Sequence, residues 1–146
     1  INASGSGYAD GAHTLSFLVT NSIGITSVAS ITVGVDNTPP TSTGSYSYNG
    51  AGSLTLASWA VTPNDAGSSI ASVYVTASNG GVFQAIRSGN TWSLTIDLRS
   101  AGLLFTAPQA YPVTVRDNAG NCGVYAAYSG VPGTNWGWFF KSAGPC

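Results

Sequence analysis

The chain has 146 residues, which is enough for one ordinary domain and a further small element. Only 6% of the residues are charged, against about a quarter in an average soluble chain, and the formal net charge is −1. So few cations argue against nucleic-acid binding, and no apolar run is long enough to span a bilayer. A net charge this close to zero also favours self-association.

The titratable side chains argue against an enzyme. The chain has one histidine, two cysteines and five acidic residues, all of them aspartates. We find no cluster with metal-ligand spacing and no glycine-rich loop placed to bind phosphate. His13 alternates with Leu15 and Phe17 along a strand, so we expect a packed or capping histidine. The sequence therefore predicts no catalytic residue and no cofactor.

The N-terminal segment has the alternating pattern of a β-hairpin. Residues 13–20 and 26–36 alternate apolar and polar side chains, and residues 21–24 join them as Asn-Ser-Ile-Gly. Leu18 and Ile25 add apolar surface on a second side. The predicted inward side chains are Leu15, Phe17, Val19, Ile31, Val33 and Val35. Pro39 and Pro40 then end the ladder, which predicts a stiff linker.

Beyond the linker, short alternating runs are separated by turn-forming residues. They predict strands at residues 43–48, 53–61, 70–77, 82–87, 91–97, 110–116 and 122–128. Only residues 98–104 suggest a helical turn, and it is short. Seven strands over about 90 residues match the size of one immunoglobulin-like domain. The predicted fold class is all-β, an immunoglobulin-like β-sandwich preceded by an N-terminal β-hairpin.

Several segments resemble a known family of surface modules. Residues 33–41, Val-Gly-Val-Asp-Asn-Thr-Pro-Pro-Thr, resemble the junction between tandem bacterial immunoglobulin-like (Big-type) repeats. Residues 113–121 and 88–93 resemble a late strand with its turn and a mid-domain turn of such a repeat, and residues 10–15 the entry to a late strand. The resemblance implies an extracellular sandwich that serves in stalks, adhesins or accessory modules, and it implies no catalytic residue.

The chain also contains an internal repeat. Residues 15–24 align with residues 111–120: each segment has three apolar residues two apart, then Asn or Asp, then Gly. The hairpin therefore looks like the last two strands of a repeat whose earlier strands are missing. Its apolar face could complete the sandwich of another subunit, fold back on its own sandwich, or be the remnant of a longer protein.

The C-terminal segment is aromatic and ends in a cysteine. Trp136, Trp138 and Phe139 could stack on sugar rings, but packing in an interface or groove is the better interpretation because Lys141 is the only nearby charge. Cys122 and Cys146 are the expected disulfide in an extracellular chain, the alternative being two buried thiols.

A metal site is not expected from spacing. Asp36, Asp65 and Asp117 occupy turns with oxygen ligands suited to calcium, yet no loop has the spacing of a calcium-binding loop.

Together these patterns predict a hairpin (residues 1–37), a sandwich (38–128) and a tail tied back by the disulfide (129–146). The expected function is that of a non-enzymatic extracellular structural protein, the subunit of a surface filament assembled by strand complementation with copies of itself. The hairpin's inward residues and the tail aromatics are the expected subunit interface. The alternative is an adhesin repeat or carbohydrate-binding accessory module whose partner is a glycan or host surface.

Overall fold

The computed structural model describes residues 7–49, 56–77, 79–102, 110–128 and 136–137. The described chain contains no helix with the length and apolar character needed to cross a membrane.

The N-terminal hairpin forms a sheet of its own. Strands β1 (Gly11–Thr20) and β2 (Thr26–Val35) pair antiparallel, with Gly11 opposite Val35 and Thr20 opposite Thr26. The two strands extend to the same length, and the turn predicted at residues 21–24 connects them. The hairpin expected from the sequence is present.

The other strands form a β-sandwich. In chain order they are β3 (Thr41–Asn49), β4 (Leu56–Asn64), β5 (Ile70–Thr76), β6 (Val82–Gln84), β7 (Ile86–Ser88), β8 (Thr91–Asp97), β9 (Ala110–Asp117), β10 (Cys122–Tyr128) and β11 (Trp136–Gly137). One sheet has the order β10-β9-β5-β6, and the second has the order β11-β3-β4-β8-β7. Every pairing is antiparallel. The predicted all-β, immunoglobulin-like sandwich is confirmed.

The core lies between the two sheets. Trp59 packs against Tyr46 and Tyr111, with ring centroids 5.0 Å and 5.6 Å away. Around these rings, the fully buried valines alternate along β5 and β9, as a half-buried pleated strand requires. They are Val73, Val75, Val113 and Val115.

The stretch predicted as one strand over 82–87 is divided at Ala85. Ala85 is buried and donates its backbone N–H to the carbonyl of Val73 at 2.9 Å, so the chain crosses there from one sheet to the other. Strand β6 thus belongs to the four-stranded sheet and β7 to the five-stranded sheet. The sequence does not reveal this crossing, because it depends on the bond between Ala85 and Val73 of another strand rather than on the local pattern.

The linker lies against the sandwich. The Tyr125 hydroxyl on β10 donates to the carbonyl of Pro40 at 2.7 Å, and burial raises the pKa of that hydroxyl. Gly123 faces the same carbonyl, and a Cβ there would lie 2.6 Å from it. The close approach of linker and β10 fixes where the hairpin leaves the sandwich.

Candidate assembly surface and acidic junction

The hairpin has one apolar and one polar face. Directly paired residues share a face, so Leu15 lies beside Ile31 and Phe17 beside Ala29. On the opposite face, the hydroxyls of Ser16 and Ser30 are 3.3 Å apart. The polar face is built of serine and threonine for most of its length, with Leu18 and Val28 paired near the tip.

The apolar face is exposed. Phe17 is 52% exposed and Ile31 51%, and Leu15 and Val19 are also exposed. Only the base of this face is covered, where Val33 is half-buried and Val35 is buried. Because β1 and β2 pair only with each other, the hairpin does not extend either sheet of its own sandwich within the described residues. Within the described residues, the fold-back alternative, in which the hairpin extends its own sandwich, is therefore not observed.

The hairpin turn is similar in construction to the turn between β9 and β10. Asn21 Oδ1 accepts the backbone N–H groups of Ile23 and Ile25, and Gly24 has φ 84°. In the second turn, Asp117 Oδ1 accepts the backbone N–H groups of Gly120 and Asn121, and Gly120 has φ 101°. The internal repeat in the sequence is thus also a repeat of local structure.

The two hairpins differ in what covers them. On β9, Tyr111, Val113 and Val115 are at most 1% exposed, because the second sheet packs on them. Their counterparts on β1 are Leu15, Phe17 and Val19, all of which are exposed. The N-terminal hairpin has the pattern of a core hairpin, but no sheet formed by the described residues packs on it.

A carboxylate fixes the base of the hairpin on the linker. Asp10 accepts the backbone N–H of Asn37 at 2.6 Å and the hydroxyl of Thr38. Both hydrogen bonds lower the pKa of Asp10 below its usual 3.8, and the bond from Thr38 has the larger effect. Nearby, His13 forms a hydrogen bond between Nε2 and the carbonyl of Ala9 at 2.7 Å and packs edge-on against Tyr8. Its place at the strand entry fits the expected capping histidine.

Three aspartates meet where the hairpin joins the sandwich; we call this cluster the acidic junction. Asp36 follows β2, Asp65 follows β4, and Asp117 ends β9. Each offers one carboxylate oxygen, and these oxygens all lie within 4.8 Å of one another. Asp36 and Asp117 are each 2% exposed, and Asp65 is half-buried.

Only some of the carboxylate oxygens at the acidic junction accept hydrogen bonds. Both oxygens of Asp117 accept hydrogen bonds: Asn121 donates its side-chain amide to Oδ2 at 2.8 Å, and the backbone N–H groups of Gly120 and Asn121 donate to Oδ1, which leaves acceptor capacity on Oδ2. Asp65 Oδ1 accepts the N–H groups of Gly67 and Ser68, and Asp36 Oδ1 accepts that of Thr38. The Oδ2 atoms of Asp36 and Asp65 are buried without a hydrogen-bond partner.

Spacing did not reveal this cluster, because its members are far apart in sequence and each sits in an ordinary turn. One signal was present. Asp36 ends a predicted strand, Asp65 lies four residues beyond another, and Asp117 comes directly after a third, at strand ends that a sandwich can bring together. The sequence alone does not say which strand ends meet.

Other predicted site residues lie partly or wholly outside the described chain. Trp138, Phe139 and Cys146 fall outside it, and of Trp136 only the backbone is described, paired with Tyr46 on β3. Cys122 is buried at the start of β10. The disulfide and the aromatic interface remain predictions.

No family model matches this chain, and no curated protein matches it.

Proposed function

We propose that this chain is a non-enzymatic extracellular structural protein, the subunit of a surface filament in which the hairpin of one copy completes the β-sandwich of another. The observation that supports this most is the exposed apolar face of β1 and β2. That face repeats the pattern and turn of β9 and β10, which are buried in the core.

The driving force is the burial of apolar surface. Removing such surface from water stabilises an assembly by about 25 cal/mol per Å². Phe17 and Ile31 supply large side chains at the middle of the face, where aromatic and aliphatic anchors contribute most to an interface. With a net charge of −1, repulsion between copies is small.

The sandwich indicates how such a hairpin would be received. Strand β9 pairs with β5 on one side and β10 on the other, with Val113 opposite Val75. Strand β1 corresponds to β9 and β2 to β10. The edge of β1 that faces away from β2 would therefore pair with a strand equivalent to β5 in another copy. The described sandwich already holds β9 and β10, so an incoming hairpin would exchange with them or add at an edge. Exchange of equivalent elements between copies is domain swapping, and a donor and acceptor at different places generate open filaments.

The proposal also gives the C-terminal tail a role in assembly. We assign residues 129–146 to a second contact through Trp136, Trp138 and Phe139, with a Cys122–Cys146 disulfide holding the tail to the sandwich. Loss of this bond would cost about 3 kcal/mol in the chain-entropy account.

The internal repeat favours a second candidate, an adhesin repeat in an array of Big-type domains. The hairpin then supplies the last two strands of a preceding sandwich in the same polypeptide, and the partner of the array is a glycan or host surface. The two candidates predict different oligomeric states for the purified chain. The filament subunit associates with copies of itself, whereas the adhesin repeat is a monomer with an exposed hairpin.

Sedimentation velocity on the wild type and two variants tests the proposal. Phe17→Asp places a charge on the apolar face, whereas Ser16→Asp places the same charge on the neighbouring position of the polar face. We expect the wild type and Ser16→Asp to sediment as assemblies and Phe17→Asp to sediment as a folded monomer. A monomeric wild type, or assembly that survives Phe17→Asp, would overturn the filament function, and the monomer would favour the repeat array.

A further inference from the structure

We infer that the acidic junction is a divalent-cation site, with calcium as its best-fitting ion, that fixes the base of the hairpin on the sandwich. The site is formed by Asp36, Asp65 and Asp117, which place one oxygen each within 4.8 Å of the others. It does not depend on the proposed assembly, because its residues all lie within one chain.

The observation that most favours a cation site is the unpartnered oxygen of Asp36. This residue is 2% exposed, yet its Oδ2 atom has no hydrogen-bond donor. Burying a carboxylate oxygen without a partner is costly, and buried charges are normally paired or bound to a metal. Asp65 Oδ2 is buried and unpartnered in the same way. A cation between these carboxylates would satisfy both oxygens.

The ligand set determines the class of ion. All three groups are carboxylates, the hard oxygen ligands that calcium and magnesium prefer, and the cluster contains no histidine or cysteine that would favour zinc or copper. Calcium accepts irregular oxygen geometry and fills its remaining positions with water, whereas magnesium demands near-ideal octahedral geometry. Three carboxylates from three separate turns therefore fit calcium better.

On the side of Gly67, the chain leaves no room for a second side chain beside the Asp36 carboxylate. A Cβ at Gly67 would lie 2.5 Å from Asp36 Cγ and 2.6 Å from its Oδ1, so any side chain at Gly67 must displace the carboxyl group. From the other side, the Asn121 amide donates to Asp117 Oδ2 and to the backbone carbonyl of Asp36, at 2.8 Å and 2.9 Å. These contacts hold two of the ligands in place before a cation arrives.

The position of the site has a mechanical consequence. Asp36 follows β2 directly, whereas Asp65 and Asp117 belong to the sandwich. An ion shared by the three joins the end of the hairpin to two turns of the sandwich, in addition to the clamp made by Asp10. Removing the ion would leave three carboxylates in mutual repulsion and loosen this joint.

Isothermal titration calorimetry on the full chain, stripped of metal with a chelating resin, tests the assignment. We expect calcium to bind at one ion per chain, more tightly than magnesium, and to raise the melting temperature. Asp65→Asn keeps the Oδ1 acceptor used by Gly67 and Ser68 but removes the charge, so calcium binding should weaken by at least about tenfold.

Two further variants distinguish loss of the cation site from a general effect of changing the charge of the protein. Asp97→Asn changes a turn carboxylate outside the cluster and should leave binding unchanged. Gly67→Ala keeps all three charges but displaces the Asp36 carboxyl group, and should weaken binding. Absence of calcium binding at millimolar concentration in the wild type would overturn the proposal, as would equal affinity in the wild type and Asp65→Asn.

Discussion

At the scale of single residues, the junction between hairpin and sandwich depends on a few polar groups rather than on a broad packed surface. Asp10 holds the linker by accepting from Asn37 and Thr38, and Tyr125 holds it by donating to Pro40. These groups act on consecutive parts of the same short linker. Their hydrogen bonds are local, so each can be tested by a single conservative substitution.

The Asp10 clamp should depend on pH. Its pKa is lowered below 3.8 in the folded chain, so the stabilisation is fully present above that value and is lost as the pH falls through the lowered pKa. Nuclear magnetic resonance can follow the Asp10 carboxyl and the Asn37 amide together. We expect Asp10 to titrate below 3.8, and Asp10→Ala to raise Asn37 amide exchange above the Asp10 pKa, with the difference from the wild type disappearing below it. Titration at or above 3.8 would show that the clamp is not formed in solution.

At the scale of elements, the β1–β2 and β9–β10 hairpins share an apolar pattern and a turn but lie in different surroundings. Gly24 and Gly120 occupy matching turn positions with positive φ, and a Cβ at either would meet no atom within 4 Å. An alanine at either position is therefore strained in its backbone alone. The consequence depends on what each turn supports.

We expect Gly120→Ala to lower the free energy of unfolding of the sandwich by about 1–2 kcal/mol, the backbone penalty for a non-glycine residue in this region. Gly24→Ala should leave urea unfolding of the sandwich unchanged and instead raise amide exchange along β1 and β2. Urea denaturation and hydrogen exchange measured on both variants check this. Equal loss of global stability in both would mean that the hairpin and the sandwich unfold as one unit.

The elements themselves were largely predictable. Strands β5, β8, β9 and β10 lie within one residue of their predicted bounds, because alternation and turn residues act locally. The division at Ala85 was not predictable, since it depends on a bond to Val73 in another strand. For the acidic junction, the sequence indicated Asp36, Asp65 and Asp117 as oxygen ligands suited to calcium but not that they meet, because the packing of the sheets, rather than spacing along the chain, decides which turns come together.

At the scale of the whole molecule, a sandwich with its own core carries a hairpin whose apolar face is covered only at its base by the described chain. The alternating pattern of residues 13–20 and 26–36 predicted this apolar face, and the low net charge of the chain favours self-association. Burial of Phe17 and Ile31 by another copy would convert the exposed hairpin into the connection between subunits. The acidic junction would then set the angle at which each hairpin is presented.

Electron microscopy of the full, non-reduced chain beside a chain that begins at residue 37 tests this account most directly. The account predicts filaments from the full chain and single sandwich-sized particles from the shorter one, because only the full chain carries the connecting hairpin. Single particles of monomer size in both samples, or filaments in both, would contradict it.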